Sequence, residues 1–286
     1  MKKIFPTILF LFVVITVFTI PTITDRNTLR TNFEIDHTKT TTNKVYLLDK
    51  NNYLVEVDVF LPKNDLIENV IYYLKEDNEE LEEWNGYIPK NTEILDYKIE
   101  DKVLMINFSK EFENIEKDYI PGLVHSLLKI KEIQKVEILV ENKHLKDYEN
   151  VLDKSLPINK EYDIHNRKDI EKVVVYYIDN IENNNLVPIT KYCNTKEEKI
   201  EVILEELKNN IPKNLVSYIP NNLKLISYEQ EPDMLILNFN EELTKDSSSK
   251  ETIIKEISSS IFDNYEVSSI LYKVDGKLLE IRSKNG

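Results

Sequence analysis

Hydrophobic and polar residues alternate in several short stretches of the chain, and this period of two predicts half-buried β-strands. Residues 53–61 show it most plainly, because Val55, Val57 and Val59 fall on one face and acidic residues on the other. An apolar stripe at helical spacing follows, formed by Leu66, Ile67, Val70, Ile71 and Leu74. The pattern therefore predicts a strand hairpin followed by an amphipathic helix.

A longer pattern occurs twice. Residues 87–109 align without a gap with residues 218–240. The first copy shares nine identical positions with the second: Tyr87, Ile88, Pro89, Asn91, Tyr97, Glu100, Leu104, Asn107 and Phe108. A repeat of this period is too long for a solenoid and indicates one small domain present twice. We predict an α+β protein of two tandem small α/β domains, each with the order β-β-α-β-β-α-β, after an N-terminal membrane helix.

Changes in composition along the chain give the expected boundaries. We expect a signal peptide or signal-anchor helix over residues 1–24 and a polar linker over 25–43. The first domain is predicted over 44–146 and the second over 171–283, with a polar linker at 147–170 that contains a proline. A chain of 286 residues has room for two domains of this size.

The N-terminal stretch predicts attachment to a membrane. Lys2 and Lys3 precede an apolar run over residues 4–20, which is slightly shorter than a typical bilayer span. A cleavage site of small residues is absent, which favours an uncleaved anchor. The lysines place the N terminus in the cytoplasm and the domains outside the membrane. A secreted protein is the alternative if the segment is cleaved.

Charge argues against nucleic-acid partners. The formal net charge is −14 and the pI is about 4.9, whereas nucleic-acid affinity comes from lysines and arginines that neutralise phosphates. The hydrophobic fraction of 41% is enough for a packed core. An acidic, solvated surface is the simplest interpretation of the charge.

The sequence predicts no catalytic, cofactor or metal site. Cys193 is the only cysteine, and the four histidines share no metal-ligand spacing. The sequence contains only four glycines, and none lies in a phosphate-binding loop or in a GxSxG motif. His125 is expected on the surface of a helix. The acidic run over residues 76–83 is interpreted as a solvated loop.

The candidate interaction surface lies mainly where the two copies differ, together with Tyr87, which both copies share. Trp84 ends the acidic loop, and exposed aromatics are common at contact sites, although packing over the domain edge beside Tyr87 is the alternative. Pro188 cannot donate to a strand ladder and is predicted at a sheet edge or bulge. The predicted surface comprises Glu82, Glu83, Trp84, Tyr87 and Pro188.

Four matched segments carry a resemblance to a known family. They lie at residues 45–49 and 175–179, 87–92 and 218–223, 106–109 and 237–240, and 136–142 and 270–276. Together they resemble the GerM domain family, here in tandem behind a membrane segment. The resemblance implies small α/β domains similar to the ring-building motifs of envelope-spanning secretion assemblies, and no enzymatic activity. A lipoprotein is known in the family, but this sequence has no cysteine near its N terminus, so attachment would differ.

The leading functional hypothesis is a non-enzymatic, extracytoplasmic envelope protein of sporulation or spore germination. It would support the assembly or localisation of an envelope complex through protein–protein contacts, with sporulation-complex proteins as partners and ring oligomers as one mode of assembly. A module that binds cell-wall glycan or peptidoglycan is the runner-up, since the chain has 16 tyrosines. A wall hydrolase is a third hypothesis and would need two carboxylates facing each other across a cleft.

Overall fold

The computed structural model describes residues 40–81, 83–179 and 185–284. The first domain contains β1 (Thr40–Leu48), β2 (Leu54–Pro62), α1 (Leu66–Tyr73), β3 (Ile94–Glu100), β4 (Val103–Phe108), α2 (Ile120–Leu127), β5 (Lys135–Val140) and β6 (Lys143–His144). Two short 3-10 helices, Lys110–Asn114 and Lys117–Tyr119, lead into α2. Pro121 lies in the first turn of α2, where its missing N–H is tolerated.

The second domain repeats this order with additions. It contains β7 (Lys160–Asp163), β8 (Ile170–Asp179), β9 (Leu186–Asn194), α3 (Lys199–Asn209), β10 (Leu215–Val216), β11 (Leu225–Gln230), β12 (Met234–Phe239), α4 (Glu242–Lys245), α5 (Lys250–Asn264), β13 (Ser269–Val274) and β14 (Lys277–Ser283). The mixed α+β class predicted from the sequence is confirmed. The predicted polar linker contains a strand, β7, because its residues complete a sheet of the second domain.

Each domain pairs a strand hairpin with a separate four-stranded sheet. In the first domain β1 and β2 form the hairpin, and the order β3-β4-β5-β6 forms the sheet. In the second domain the orders are β10-β8-β9-β7 and β11-β12-β13-β14. The central pairs β4–β5 and β12–β13 are parallel, and in each the connection between the two strands contains a helix, α2 or α5. These helices also contact the hairpin strands β1 and β8, so they hold the two sheets of each domain together.

Two-residue turns set the register of the outer strands. The turns at Glu141–Asn142 and Asp275–Gly276 have positive φ at both residues, the conformation that joins twisted antiparallel strands tightly. Asn107 Oδ1 accepts a hydrogen bond from Asn142 N–H at 3.0 Å, and Asn238 Oδ1 accepts one from Gly276 N–H at 2.8 Å. Asn107 and Asn238, which are matched in the repeat, therefore hold the turns that follow β5 and β13.

The two domains have separate apolar cores that meet at β2. Val45, Leu47 and Leu54 belong to the core of the first domain, whereas Val55 belongs to the core of the second. The predicted membrane segment, residues 1–24, lies outside the described residues. Among the residues that the structure does describe, no helix has the length and apolar character to cross a bilayer.

Candidate functional site

The side-chain amide of Asn159 joins the two domains. Its Oδ1 accepts a hydrogen bond from Leu54 N–H at 3.0 Å, and its Nδ2 donates to the Leu54 carbonyl at 2.9 Å and to the Pro188 carbonyl at 2.8 Å. Asn159 has φ 46°, in the left-handed region that asparagine adopts more readily than most residues. One amide thus connects β2 of the first domain to β9 of the second.

Pro188 is the residue of β9 whose carbonyl accepts from the Asn159 amide. The short strand β7 pairs with β9 only from Thr190 to Cys193, so no strand covers β9 at Pro188. The prediction that this strand lies at a sheet edge is wrong for β9 as a whole, because β9 lies between β8 and β7, although no strand pairs with it at Pro188 itself. The prediction that Pro188 contributes to an exposed contact surface is wrong, because Pro188 is buried and its carbonyl is bonded by Asn159.

Other polar contacts extend the junction. Tyr53 Oη donates to the Lys213 carbonyl at 3.1 Å, and Asn214 Nδ2 donates to Asn51 Oδ1 at 2.9 Å. These contacts link the β1–β2 turn to the segment after α3. The two domains are therefore connected by backbone and side-chain hydrogen bonds, in addition to the linker itself.

Two tyrosines at equivalent places face each other across the junction. Tyr46 Oη donates to Glu56 Oε2 at 3.2 Å, and Tyr176 Oη donates to Asp263 Oδ2 at 2.6 Å. Burial raises the pKa of both tyrosines, and the nearby carboxylates raise it further. Both phenols therefore stay protonated donors at neutral pH.

Glu56 is the charged centre of this cluster. It forms ion pairs with Lys44 and Lys129. Burial alone would raise the pKa of Glu56, but the two lysines outweigh it and lower the pKa to about 2. A cleft of about 450 Å³ opens beside it, lined from the second domain by Glu251 and Arg282 among others. Because the lining carries both signs of charge, it favours no single ionic ligand.

Trp84 packs against the cores of both domains. Its partly buried ring contacts both apolar clusters, so it lies at the junction. A groove of about 370 Å³ runs beside it, lined by Leu47, Val57, Phe60, Leu81 and Glu83 among others. We call it the Trp84 groove. Of the predicted contact residues, Trp84 and Glu83 line this groove, and Glu82 lies outside the described residues.

Tyr87 is buried, so its place in the predicted contact surface is wrong. It is only 3% exposed and packs in the core of the first domain. The space for its ring exists because residue 122 is glycine: a Cβ there would lie 2.6 Å from the Tyr87 hydroxyl. Tyr218, its counterpart in the second domain, is 43% exposed.

Glu256 occupies the place in the second domain that Gly122 occupies in the first. Ser126 Oγ donates to the Gly122 carbonyl, and Ser260 Oγ donates to the Glu256 carbonyl, while each serine accepts the N–H of Tyr46 or Tyr176. Glu256 is fully buried, and its carboxyl accepts a hydrogen bond from Tyr218 N–H at 3.0 Å. Burial raises the pKa of Glu256 to about 8, against the effect of the hydrogen bonds from Tyr218 and Ser217.

A buried ion pair lies beside a cavity in the second domain. Lys191 Nζ lies 2.8 Å from Glu206 Oε2 and 3.4 Å from Glu161 Oε2, and it sits 5.3 Å from the centre of the Tyr177 ring. The cavity next to it measures about 450 Å³. The Lys191 ammonium is therefore held by two carboxylates and an aromatic face.

Cys193 lines the same cavity but is poorly suited to be a nucleophile. It is 8% exposed, and burial together with the nearby Glu206 raises the pKa of its thiol. The thiolate that reacts is therefore disfavoured. Cys193 is instead a small residue of the second domain's apolar core.

The histidines form no cluster in the described part of the chain. His125 is the one residue of α2 that is not buried, but it is only half-exposed: its Nε2 lies 2.8 Å from the Leu156 carbonyl, and burial lowers its pKa. Across residues 40–81, 83–179 and 185–284, no three His, Cys, Asp or Glu side chains lie close enough to hold a metal ion.

An apolar row crosses the outer face of the second four-stranded sheet. Ile236, Leu271 and Ile281 are cross-strand neighbours on β12, β13 and β14, and Leu278 lies on the same face. Ile281 is 54% exposed and Leu278 65%. In the first domain Glu137 stands in the middle of the corresponding row. We call Ile236, Leu271, Leu278 and Ile281 the β14 face.

Comparison with known proteins agrees with this architecture. The model of a family described as Germane, sporulation and spore germination, matches residues 44–146 and 174–280. The chain is 27% identical over 262 residues to the spore germination protein GerM of Bacillus subtilis (strain 168), covering 82% of this chain and 71% of that protein. The solved structure of the tandem GerMN domains of the sporulation protein GerM from Bacillus subtilis superposes with a TM-score of 0.73. That match has 23% identity and covers 84% of this chain and 92% of the other.

Proposed function

Because this chain belongs to the Germane family of sporulation and spore germination proteins, we propose that it is a non-enzymatic envelope protein of sporulation or germination. It supports the assembly or localisation of an envelope protein complex through protein–protein contacts. The similarity to the spore germination protein GerM extends across both domains and supports this assignment.

The observation that carries the contact function is the β14 face. Leu278 and Ile281 are more than half exposed, and Ile281 pairs with Leu271 of β13, which in turn pairs with Ile236 of β12. Contiguous exposed apolar surface marks interaction sites on soluble domains. The first domain carries Glu137 in the corresponding row, so this face of the four-stranded sheet is continuously apolar only in the second domain.

In this proposal the domains lie outside the cytoplasmic membrane and residues 1–24 attach them to it. The basic residues Lys2 and Lys3 ahead of the apolar run support this orientation. The membrane then restricts the β14 face to partners of the same envelope.

Co-purification from sporulating cells tests the proposal. The tagged full chain is solubilised from membranes and compared with the double variant L278E/I281E. The matched control is L95E, which places one carboxylate on a 45% exposed leucine of the first domain. We expect an envelope protein to co-purify with the wild type and the control and to be lost from the double variant. Recovery of the same partners with the double variant would refute the assignment to this face.

Peptidoglycan binding is a second candidate, favoured by one observation. Tyr162 is 65% exposed and stacks on Tyr192 at 5.0 Å between ring centres, and both residues border the cavity that holds Glu161 and Lys191. Exposed aromatic rings beside polar groups are suited to sugar rings. Pelleting with purified sacculi distinguishes this function: binding that is lost in Y162A supports it, and failure of the wild type to pellet excludes it.

A further inference from the structure

The two hairpins differ in what covers the edge of their second strand. In the second domain β7 runs parallel to β9 and pairs Tyr162 with Tyr192. In the first domain no described strand covers the equivalent edge of β2. Tyr46 is paired with Glu56 in the first hairpin, and its equivalent Tyr176 is paired with Pro188 in the second. Two and four residues further along, Asp58 is therefore equivalent to Thr190 and Phe60 to Tyr192.

This edge of β2 presents free backbone groups. Leu54 directs both its N–H and its carbonyl away from β1, to Asn159. Directions alternate along an antiparallel strand, so Glu56, Asp58 and Phe60 direct theirs the same way. Within the described residues these backbone groups have no hydrogen-bond partner. Such an edge is a template for another strand.

The side chain of Phe60 on this edge also lacks the aromatic contact that its counterpart Tyr192 has. Phe60 is 70% exposed, whereas Tyr192 is half-buried and stacks on Tyr162 of β7. The occupant that fits is therefore an extended segment with an aromatic residue opposite Phe60.

The sequence ahead of β1 contains such a segment. Residues 33–37 are Phe-Glu-Ile-Asp-His, and residues 162–165 at the end of β7 are Tyr-Asp-Ile-His. Phe33 precedes Tyr46 by 13 residues, and Tyr162 precedes Tyr176 by 14. The connection from an added strand to β1 is thus only one residue shorter than the connection that the second domain uses.

We infer that the free edge of β2 is the docking site for residues 31–34 of this chain, which bind there as a parallel strand with Phe33 against Phe60. The register of β7 places Thr31 opposite Asp58 and Glu34 opposite Leu61. This inference is independent of the proposed function. If residues 1–24 are a membrane anchor, six residues remain before the docked strand, and they span at most about 20 Å. The first domain is then held close to the membrane.

Photo-crosslinking tests the docking. A photoreactive phenylalanine replaces Phe33 in the full chain, and the products are mapped by mass spectrometry. We expect crosslinks to residues 58–61 within the same chain. Crosslinks to residues 58–61 of a second copy, crosslinks elsewhere, or none would overturn docking within the chain.

Hydrogen exchange gives an independent readout with matched variants. The backbone amides of Asp58 and Phe60 are expected to exchange at least tenfold faster in F33D than in the wild type. F33Y should keep the wild-type rates, because tyrosine is the residue that β7 uses. The Leu54 amide is the internal control, since Asn159 holds it in every variant. Equal rates at Asp58 and Phe60 in F33D and the wild type would overturn the inference.

Discussion

Gly122 and Glu256 occupy equivalent positions in the two domains, and they place the neighbouring tyrosine differently. Beside Gly122, the ring of Tyr87 enters the core. Beside Glu256, Tyr218 remains 43% exposed and donates its backbone N–H to the Glu256 carboxyl. The same Tyr-Ile-Pro segment thus builds a closed apolar core in one copy and a buried carboxyl site in the other.

The replacement of Gly122 by alanine should destabilise the first domain. The added Cβ would lie 2.6 Å from both Leu54 Cδ2 and the Tyr87 hydroxyl. Overpacking of this kind costs about 1–3 kcal/mol, which outweighs the helix propensity gained, roughly 1 kcal/mol. Denaturant unfolding measures the loss. In a Y87F background the same substitution should cost less, because the hydroxyl is gone; an equal cost in both backgrounds would contradict the packing described.

Glu256 should make the second domain less stable as pH rises. Its pKa is raised from 4.5 to about 8 on folding, so the unfolded chain releases this proton before the folded one. Stability from this group is full below about pH 4.5, falls between there and pH 8, and is then constant. The slope is about 1.4 kcal/mol per pH unit.

The variant E256Q isolates this contribution, since the amide oxygen can still accept the Tyr218 N–H. Unfolding free energies of E256Q and the wild type, measured across this range, should diverge in favour of the variant as pH rises. A difference that does not change with pH would show that Glu256 ionises normally in the folded protein.

Loss of the Asn159 amide should loosen the junction. The variant N159G keeps the left-handed backbone but leaves the Leu54 and Pro188 groups without this partner. An unsatisfied buried polar group costs about 1–3 kcal/mol. We expect faster exchange at the Leu54 amide and a changed emission of Trp84, the only tryptophan, which packs on both cores. Unchanged exchange and emission would mean that the amide does not hold the domains.

The ion pair of Lys191 and Glu206 should cost more to break than to remove. K191M leaves the buried Glu206 carboxylate without its ammonium partner, a loss of about 3–5 kcal/mol. The double variant K191M/E206M removes both charges and should recover most of that loss. Thermal or denaturant unfolding measures the stability of the two variants. A single variant K191M that is more stable than the double variant would contradict the prediction.

The repeat and its strands were predictable from the sequence because they depend on local pattern. Asn107 and its counterpart Asn238 are matched positions at strand ends, and both bond to turns as polar residues at such places do. The burial of Tyr87 was not predictable from its own segment, because it depends on Gly122, which is 35 residues away in the sequence.

The contacts between the two domains could not be predicted from local sequence pattern either. Asn159 lies in a polar stretch that favours a linker, and its role depends on two strands from different domains. The strand β7 has only four residues and becomes a strand by pairing with β9. Pro188 lies where no strand pairs with β9, but its burial depends on contacts from Asn159 and the first domain, which the periodicity of its own strand does not report. Alternation does not reveal the β14 face either, because Leu278 and Ile281 are three residues apart and share a face only through the bulge in β14.

Crosslinking from Leu278 in living cells tests the central claim most directly. A photoreactive residue is placed at Leu278, on the β14 face, and in a control at Glu113, which is exposed in the first domain. The account predicts a discrete crosslinked product with another envelope protein during sporulation from position 278 and none from position 113. Absence of any such product from position 278 throughout sporulation and germination would contradict it.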